Sequence, residues 1–361
     1  MRNYVKDFIY ACKATSFRDL GFPFVGPSRL HIAMTYLCNS KCKMCSIWKI
    51  YRKDKKKLRE EFTLGEFKKI IDNYPKFRDI WLTGGEPLLR KDAVELMKYI
   101  DENTDAWFSF NTNAVLLDMT KRKISQLLKI IEHDFGIGIS IDGFEKTHDF
   151  QRGVKGNWRN AMNLLGWVIK QERKYSNFHP TVTFTMTKWN VKEFPKFVDH
   201  LVNEVGLSPR QIVFVVASVS ETYYHTSECY APNKEEAMKS IREVMEKYKE
   251  FRNYYVKGMV KYLEKPFKMK CYAAYSFNYV DPYLNVYPCI YLEEPMGNLR
   301  DYGYDIVELW KSEKAKELRK RVKAWDCPEC PWNGCVVSPN MASNPLLFLR
   351  KGLEKVKVWH S

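Results

Sequence analysis

Six times between residues 28 and 216 a short apolar run is followed by a longer stretch with helical periodicity. This alternation constrains the fold more than anything else in the chain. The extended runs are Leu30–Tyr36, Asp79–Thr83, Trp107–Asn111, Gly136–Ile141, Val182–Thr187 and Ile212–Val216. They are apolar on both faces, as strands buried within a parallel sheet are. Helical patterns lie between them at Leu64–Asn73, Ala93–Asp101, Lys121–Ile131, Trp158–Gln171 and Val191–Glu204. The pattern predicts an α/β fold, a parallel sheet curled into a partial (β/α)6 barrel. Ligands of such folds bind at the carboxyl ends of the strands.

Chemistry-bearing residues fall at those ends. Cys38, Cys42 and Cys45 follow the first run with the spacing C-x3-C-x2-C. GGEP (Gly84, Gly85, Glu86, Pro87) closes the second, Asn111–Asn113 the third and Ser140–Asp142 the fourth. Three thiolates this close in sequence can hold three corners of one iron–sulfur cube. Apart from these three, no cysteine lies between Cys12 and Cys229, so one iron of such a cube stays open to another ligand. A zinc site is the alternative, but it wants a fourth ligand, and the nearest histidine, His31, lies inside the first strand.

Composition narrows the class. The chain has 361 residues, enough for a large barrel plus a smaller domain. No apolar run approaches the 18 residues or so of a membrane-spanning helix, and the first residues lack a signal-peptide pattern. Ten cysteines in such a chain read as metal ligands in a reducing cytoplasm. The net charge of +16 would attract an anionic partner, yet the Lys and Arg residues are interleaved with Asp and Glu, which favours simple solubility over nucleic-acid binding.

The cysteine spacing together with GGEP resembles the radical S-adenosylmethionine (radical SAM) family, over roughly residues 30–335. The resemblance implies that Cys38, Cys42 and Cys45 bind a [4Fe–4S] cluster whose open iron is chelated by S-adenosyl-L-methionine (SAM). One-electron reduction would then cleave SAM to a 5′-deoxyadenosyl radical that abstracts hydrogen from a substrate. It implies that Gly84–Pro87 hold the methionyl amino group, that Thr112 and Ser140 contact SAM, and that Arg152 pairs with the SAM carboxylate. Met44 stands where many relatives place an aromatic residue near the adenine.

A second group, Cys271-x17-Cys289 followed by Cys327-x2-Cys330, offers four thiolates. It resembles the "twitch" half of the SPASM extension, which implies one auxiliary [4Fe–4S] cluster. Within it, YVDPYLNVYPC resembles the hairpin before the second ligand, without its usual glycine. Cys335 is an alternate ligand, and a zinc ribbon is the rival reading. The expected organisation is an N-terminal extension 1–27, a radical SAM core 28–232, a helical linker 233–270 with one long stretch at Asn233–Lys265, an auxiliary cluster domain 271–335, and a basic tail 336–361.

Substrate-side signals are sparser. Tyr223, Tyr224, His225 and Cys229 follow the sixth strand where a substrate loop would lie, with Cys229 a candidate hydrogen donor. The run Lys49–Arg59 would grip an anionic substrate or form a solvated loop. The tail NPLLFLRKGLEKVKVW either packs an apolar face back on the barrel or lies on a membrane surface, with the first favoured. The expected partners are a small-molecule or peptide substrate and an electron donor such as ferredoxin or flavodoxin. Two alternatives stay open: a radical SAM enzyme acting on RNA or membrane lipid, and a non-enzymatic iron–sulfur or zinc protein binding nucleic acid.

Overall fold

In the computed structural model, which describes residues 4–328 and 330–347, all six expected strands form. They are β1 Arg29–Thr35, β2 Asp79–Gly84, β3 Trp107–Thr112, β4 Phe135–Ser140, β5 Phe178–Met186 and β6 Ile212–Val216. They lie in the order β6-β5-β4-β3-β2-β1, each parallel to the next. This is the partial barrel anticipated from the alternation. Helix α1 Tyr4–Leu20 precedes it and the short α2 Ile50–Lys53 follows the first cysteine loop. The crossovers carry α3 Leu64–Asn73, α4 Ala93–Asn103, α5 Leu117–Ile130, α6 Glu145–Arg152, α7 Asn157–Glu172 and α8 Phe194–Asn203. Helix α3 shows why such segments form. Thr63 and Glu66 close a reciprocal capping box, and Phe67, Ile70 and Ile71 make one buried stripe.

The two faces of the sheet differ more than the sequence implied. Ile80, Leu82, Phe108, Phe110, Ile137 and Ile139 are fully buried. Their strand neighbours on the other face, Trp81, Ser109, Asn111, Thr183 and Thr185, keep partial exposure. Gly136 and Gly138 leave that open face bare on β4. A Cβ on Gly138 would lie 1.9 Å from Asn111 Oδ1, so the Asn111 side chain fills the space the glycine vacates.

The sheet continues past the barrel. β7 Phe277–Val280 pairs parallel to β1, with His31 opposite Tyr279, and β8 Asn285–Tyr287 and β9 Gly297–Asn298 add antiparallel. The C-terminal cysteine region therefore covers the edge of β1, whose backbone groups would otherwise lie unpaired. In the β7–β8 turn Leu284 stands at φ +69°, a conformation natural to glycine; its side chain is fully buried.

The expected single helical stretch at Asn233–Lys265 is instead two helices, α9 Lys234–Lys247 and α10 Tyr254–Glu264. The chain breaks at Tyr248–Asn253 because the Asn253 side chain caps a new helix, accepting from Val256 N–H. Both helices bury an apolar stripe (Ile241, Val244, Val256, Met259), which makes the segment part of the core. Helices α11 Ile306–Lys311, α12 Glu313–Ala324 and α13 Gly334–Ala342 complete the described chain. The first part of the expected tail is thus helix α13, and its basic remainder lies outside the described residues. Among the described residues no helix is long and apolar enough to cross a membrane.

Candidate active site

The first cysteine loop is held from two sides. On one, the glycines of GGEP let β2 meet the loop backbone to backbone. Gly84 has φ +125°, and a Cβ there would lie 2.1 Å from Thr35 O. A Cβ on Gly85 would lie 2.3 Å from Leu37 O and 2.9 Å from the Cys38 Cβ. In that gap Gly85 N–H donates to Thr35 C=O at 2.7 Å and Glu86 N–H to Leu37 C=O at 2.8 Å. Pro87 starts a short buried turn behind them. Buried Glu86 accepts from Asn113 N–H at 2.7 Å and Leu88 N–H at 3.3 Å. Burial raises its carboxyl to about 7, against the pull of those donors. Thr112, also buried, accepts from Ala114 N–H and lies beside Glu86.

On the other side, Lys41 N–H and Lys43 N–H donate to the carbonyls of Arg152 and Gln151 at the end of α6, at 3.0 and 2.9 Å. Gly153 (φ +67°) permits this approach, since a Cβ there would lie 2.4 Å from Lys41 O. Ser46 N–H donates to Tyr224 C=O at 2.8 Å, and Trp48 Nε1 to Cys42 C=O at 3.2 Å. The loop thus spans from the β1–β2 edge to α6 and the segment after β6.

Arg152 departs from its expected role. Its Nε and Nη2 hold Asp142 Oδ2 and Oδ1 at 2.6 and 3.0 Å, leaving Nη1 3.9 Å from Cys42 Sγ. Asp142 is wholly buried and also accepts from Thr185 N–H at 2.8 Å. Burial alone would lower the guanidinium; the Asp142 charge outweighs it and holds Arg152 above its ordinary value. Asp142 therefore takes two of the three guanidinium nitrogens, and the third points to the cysteine loop. Ser140 is buried at the end of β4, and Met44 is buried within the loop.

Burial raises all three thiols, Cys45 to about 12, and each of Cys38 and Cys45 feels the charge of Cys42. Such a pocket disfavours bare thiolates, so ionisation there requires a compensating cation. Among the described residues no three ligating side chains surround a single ion. A cube does not need them to, because each thiolate binds a different iron. Asn39 Nδ2 and Ser40 Oγ are buried without partners, and Asn113 Nδ2 stands 3.8 Å from Cys38 Sγ. Unpartnered buried polar groups within a three-cysteine loop, with a glycine cradle beside it, fit an iron–sulfur cluster with a small polar ligand. Sequence reasoning placed Asn113 and Asp142 in strand-end motifs but gave neither a role of its own; each stands one or two residues past a strand end.

Four of the C-terminal cysteines gather in one place. Cys271, Cys289, Cys327 and Cys330 lie within mutual electrostatic reach. Burial pushes Cys271 up to about 11 and Cys289 to about 12. Cys271 Sγ accepts from Ala273 N–H at 3.5 Å and Asn340 Nδ2 at 3.9 Å; Cys289 Sγ accepts from Tyr291 N–H at 3.4 Å. Cys335 lies beside Tyr223, Tyr224, Tyr255 and Tyr291. It lines a small cavity with Cys289 and Asn278, and Asn278 is buried with neither side-chain polar atom partnered.

Substrate-side residues also sort. Tyr223 is half-buried, its hydroxyl 2.7 Å from Thr83 Oγ1 and 3.5 Å from His31 Nε2. Burial lowers His31 to about 3. Tyr224 and His225 lie inward as well, near Cys45 and Tyr36 respectively. Cys229 does not join them. It is solvent-exposed and lacks the enclosure a hydrogen-atom donor to a radical needs.

Comparison with known proteins follows this division. Residues 32–201 match the radical SAM superfamily, and residues 271–331 match SPASM, an iron–sulfur cluster-binding domain. Fe-coproporphyrin III synthase of Methanosarcina barkeri is 32% identical over 174 residues, 47% of this chain and 40% of that protein. In that match the chain spans well under half of its relative. AdoMet-dependent heme synthase of Nitratidesulfovibrio vulgaris is 24% identical over 348 residues, covering 87% and 90% of the two chains. The crystal structure of Streptococcus suis SuiB bound to precursor peptide SuiA shares the fold, with TM-score 0.63 at 14% identity over 92% of this chain and 77% of that one. The cofactors implied by the two matched domains are a [4Fe–4S] cluster with SAM, and auxiliary iron–sulfur binding.

Proposed function

This chain belongs to the radical SAM superfamily and carries a SPASM domain, and from that premise we propose that it is an enzyme that reductively cleaves SAM and abstracts hydrogen from a peptide or small molecule. Bound cluster and SAM supply the 5′-deoxyadenosyl radical. Cys38, Cys42 and Cys45 hold the cluster, GGEP seats its loop, and Asn39, Ser40 and Ser140 offer polar groups to SAM. Arg152, fixed by Asp142, places positive charge beside Cys42. Cys271, Cys289, Cys327 and Cys330 hold one auxiliary cluster, with Cys335 excluded from the set. The core of residues 28–232 carries the radical chemistry and residues 271–335 the auxiliary centre. The observation that carries the reading is the first cysteine loop, clamped between GGEP and α6 and carrying the unpartnered polar groups of Asn39 and Ser40. Ten free cysteines fit a reducing cytoplasm.

A cofactor-precursor substrate is favoured by the heme synthase relative, which matches over most of both chains. A tetrapyrrole that binds would shift its absorbance on titration with the protein.

The test is anaerobic reconstitution followed by dithionite and SAM. About eight irons per chain, as two four-iron clusters require, with 5′-deoxyadenosine formed, would support the reading. Cys42→Ala should abolish SAM cleavage and keep the auxiliary iron. Zinc in place of iron with no SAM cleavage would overturn it.

A further inference from the structure

Cys42 is buried, yet the residues on either side of it, Lys41 and Lys43, are exposed. The loop that carries Cys42 thus reaches solvent on either side of it. Around it lies a patch of aromatic and cationic side chains. Lys43 Nζ sits 4.4 Å from the centroid of Phe150, which is 49% exposed. Phe150 meets Trp189 edge-on at 5.5 Å, Trp189 meets Tyr230 at 5.1 Å, and Lys188 lies over both at 5.5 Å. Across the loop, Trp48 bonds the Cys42 carbonyl and carries Arg52 at 4.8 Å.

None of Lys41, Lys43, Lys188 and Arg52 makes an ion pair among the described residues. Of the nearby acids, Glu228 takes the Tyr230 hydroxyl, while Asp149 is spent on the backbone N–H groups of Gly156 and Trp158. Basic side chains without ion-pair partners, interleaved with the exposed Phe150 and the half-buried Trp48, Trp189 and Tyr230, have the composition of a docking face, with rings anchoring and charge steering.

Resting on the function proposed above, we propose that this patch docks a small acidic protein carrying one low-potential electron. The electron leaves the carrier, which is oxidised, and enters the iron–sulfur centre held by Cys38, Cys42 and Cys45 by way of the loop at Lys41–Lys43. Charge complementarity selects the acidic partner, and the position of Cys42 selects an electron carrier among acidic partners.

The experiment titrates reconstituted enzyme with an acidic ferredoxin by calorimetry, for the wild type, Lys188→Glu and Phe150→Ser. It then compares 5′-deoxyadenosine formation driven by reduced ferredoxin with formation driven by dithionite. We expect binding to weaken about tenfold in each variant and with added salt, ferredoxin-driven turnover to fall in step, and dithionite-driven turnover to hold. Unchanged ferredoxin affinity in both variants would overturn the proposal. So would variants that lose affinity for an acidic peptide, RNA or anionic vesicles while binding ferredoxin normally. Failure of the enzyme reading itself would show separately, as absence of dithionite-driven cleavage in the wild type, because the binding titration needs no turnover.

Discussion

Gly85→Ala is the substitution that most directly tests how the active site is assembled. A Cβ there would lie 2.3 Å from Leu37 O, 2.7 Å from Leu37 C and 2.9 Å from the Cys38 Cβ. Relief to an ordinary contact requires β2 and the cysteine loop to separate by about 1 Å. Overpacking of this kind costs about 1–3 kcal/mol. The separation also stretches the Glu86 N–H to Leu37 C=O bond, worth about 1 kcal/mol. The expected loss is about 3 kcal/mol, which in a chain of 361 residues lowers the melting temperature by about 4 °C. The strain falls on Cys38, so the first cluster should suffer and the auxiliary one should not. Iron after reconstitution should drop from about eight to about four per chain, with the remaining signal that of the auxiliary centre. Gly166→Ala is the control: it sits in α7 with nothing within 4 Å of its added Cβ, and should be neutral or stabilising. A Gly85→Ala protein with full iron and an unchanged melting temperature would refute the reasoning.

Two further outcomes follow from buried charge. Asp142→Asn leaves Arg152 buried with its bidentate partner neutralised; one-sided loss of a buried pair costs about 3–5 kcal/mol, readable by urea denaturation, and a loss below about 1 kcal/mol would contradict the role given to Asp142. His31 is held at about 3, below its ordinary 6.5, by burial. The unfolded chain therefore takes up the proton first, so this stability is present above pH 6.5 and drains away as pH falls towards 3. Between pH 7 and pH 5 it amounts to about 2 kcal/mol. The stability gap between wild type and His31→Gln should narrow by that amount over the same interval, and a gap independent of pH would count against it.

The C-terminal half shows where the tertiary structure took over. Asn233–Lys265 carries helical periodicity throughout, and periodicity cannot show that the Asn253 side chain starts a second helix. The hairpin before Cys289 is readable from YVDPYLNVYPC, but its parallel pairing with β1 joins residues about 250 positions apart, a contact no local pattern encodes. Leu284 takes the left-handed turn despite being a poor residue for it, because its side chain is buried on the far side.

By itself, the sequence determined the six strands, the three cysteines at the end of the first, and the family. Strand periodicity, cysteine spacing and glycine turns are local, set by covalent geometry and residue type. Only the tertiary structure decided that Arg152 is held by Asp142, that Cys335 lies among Tyr223, Tyr224, Tyr255 and Tyr291, that Cys229 faces solvent, and that Lys188 and Arg52 join Lys41 and Lys43 around the first cysteine loop. Each depends on which side chains from distant segments share a buried space, and that is settled when the sheet closes and the loops at its carboxyl end meet.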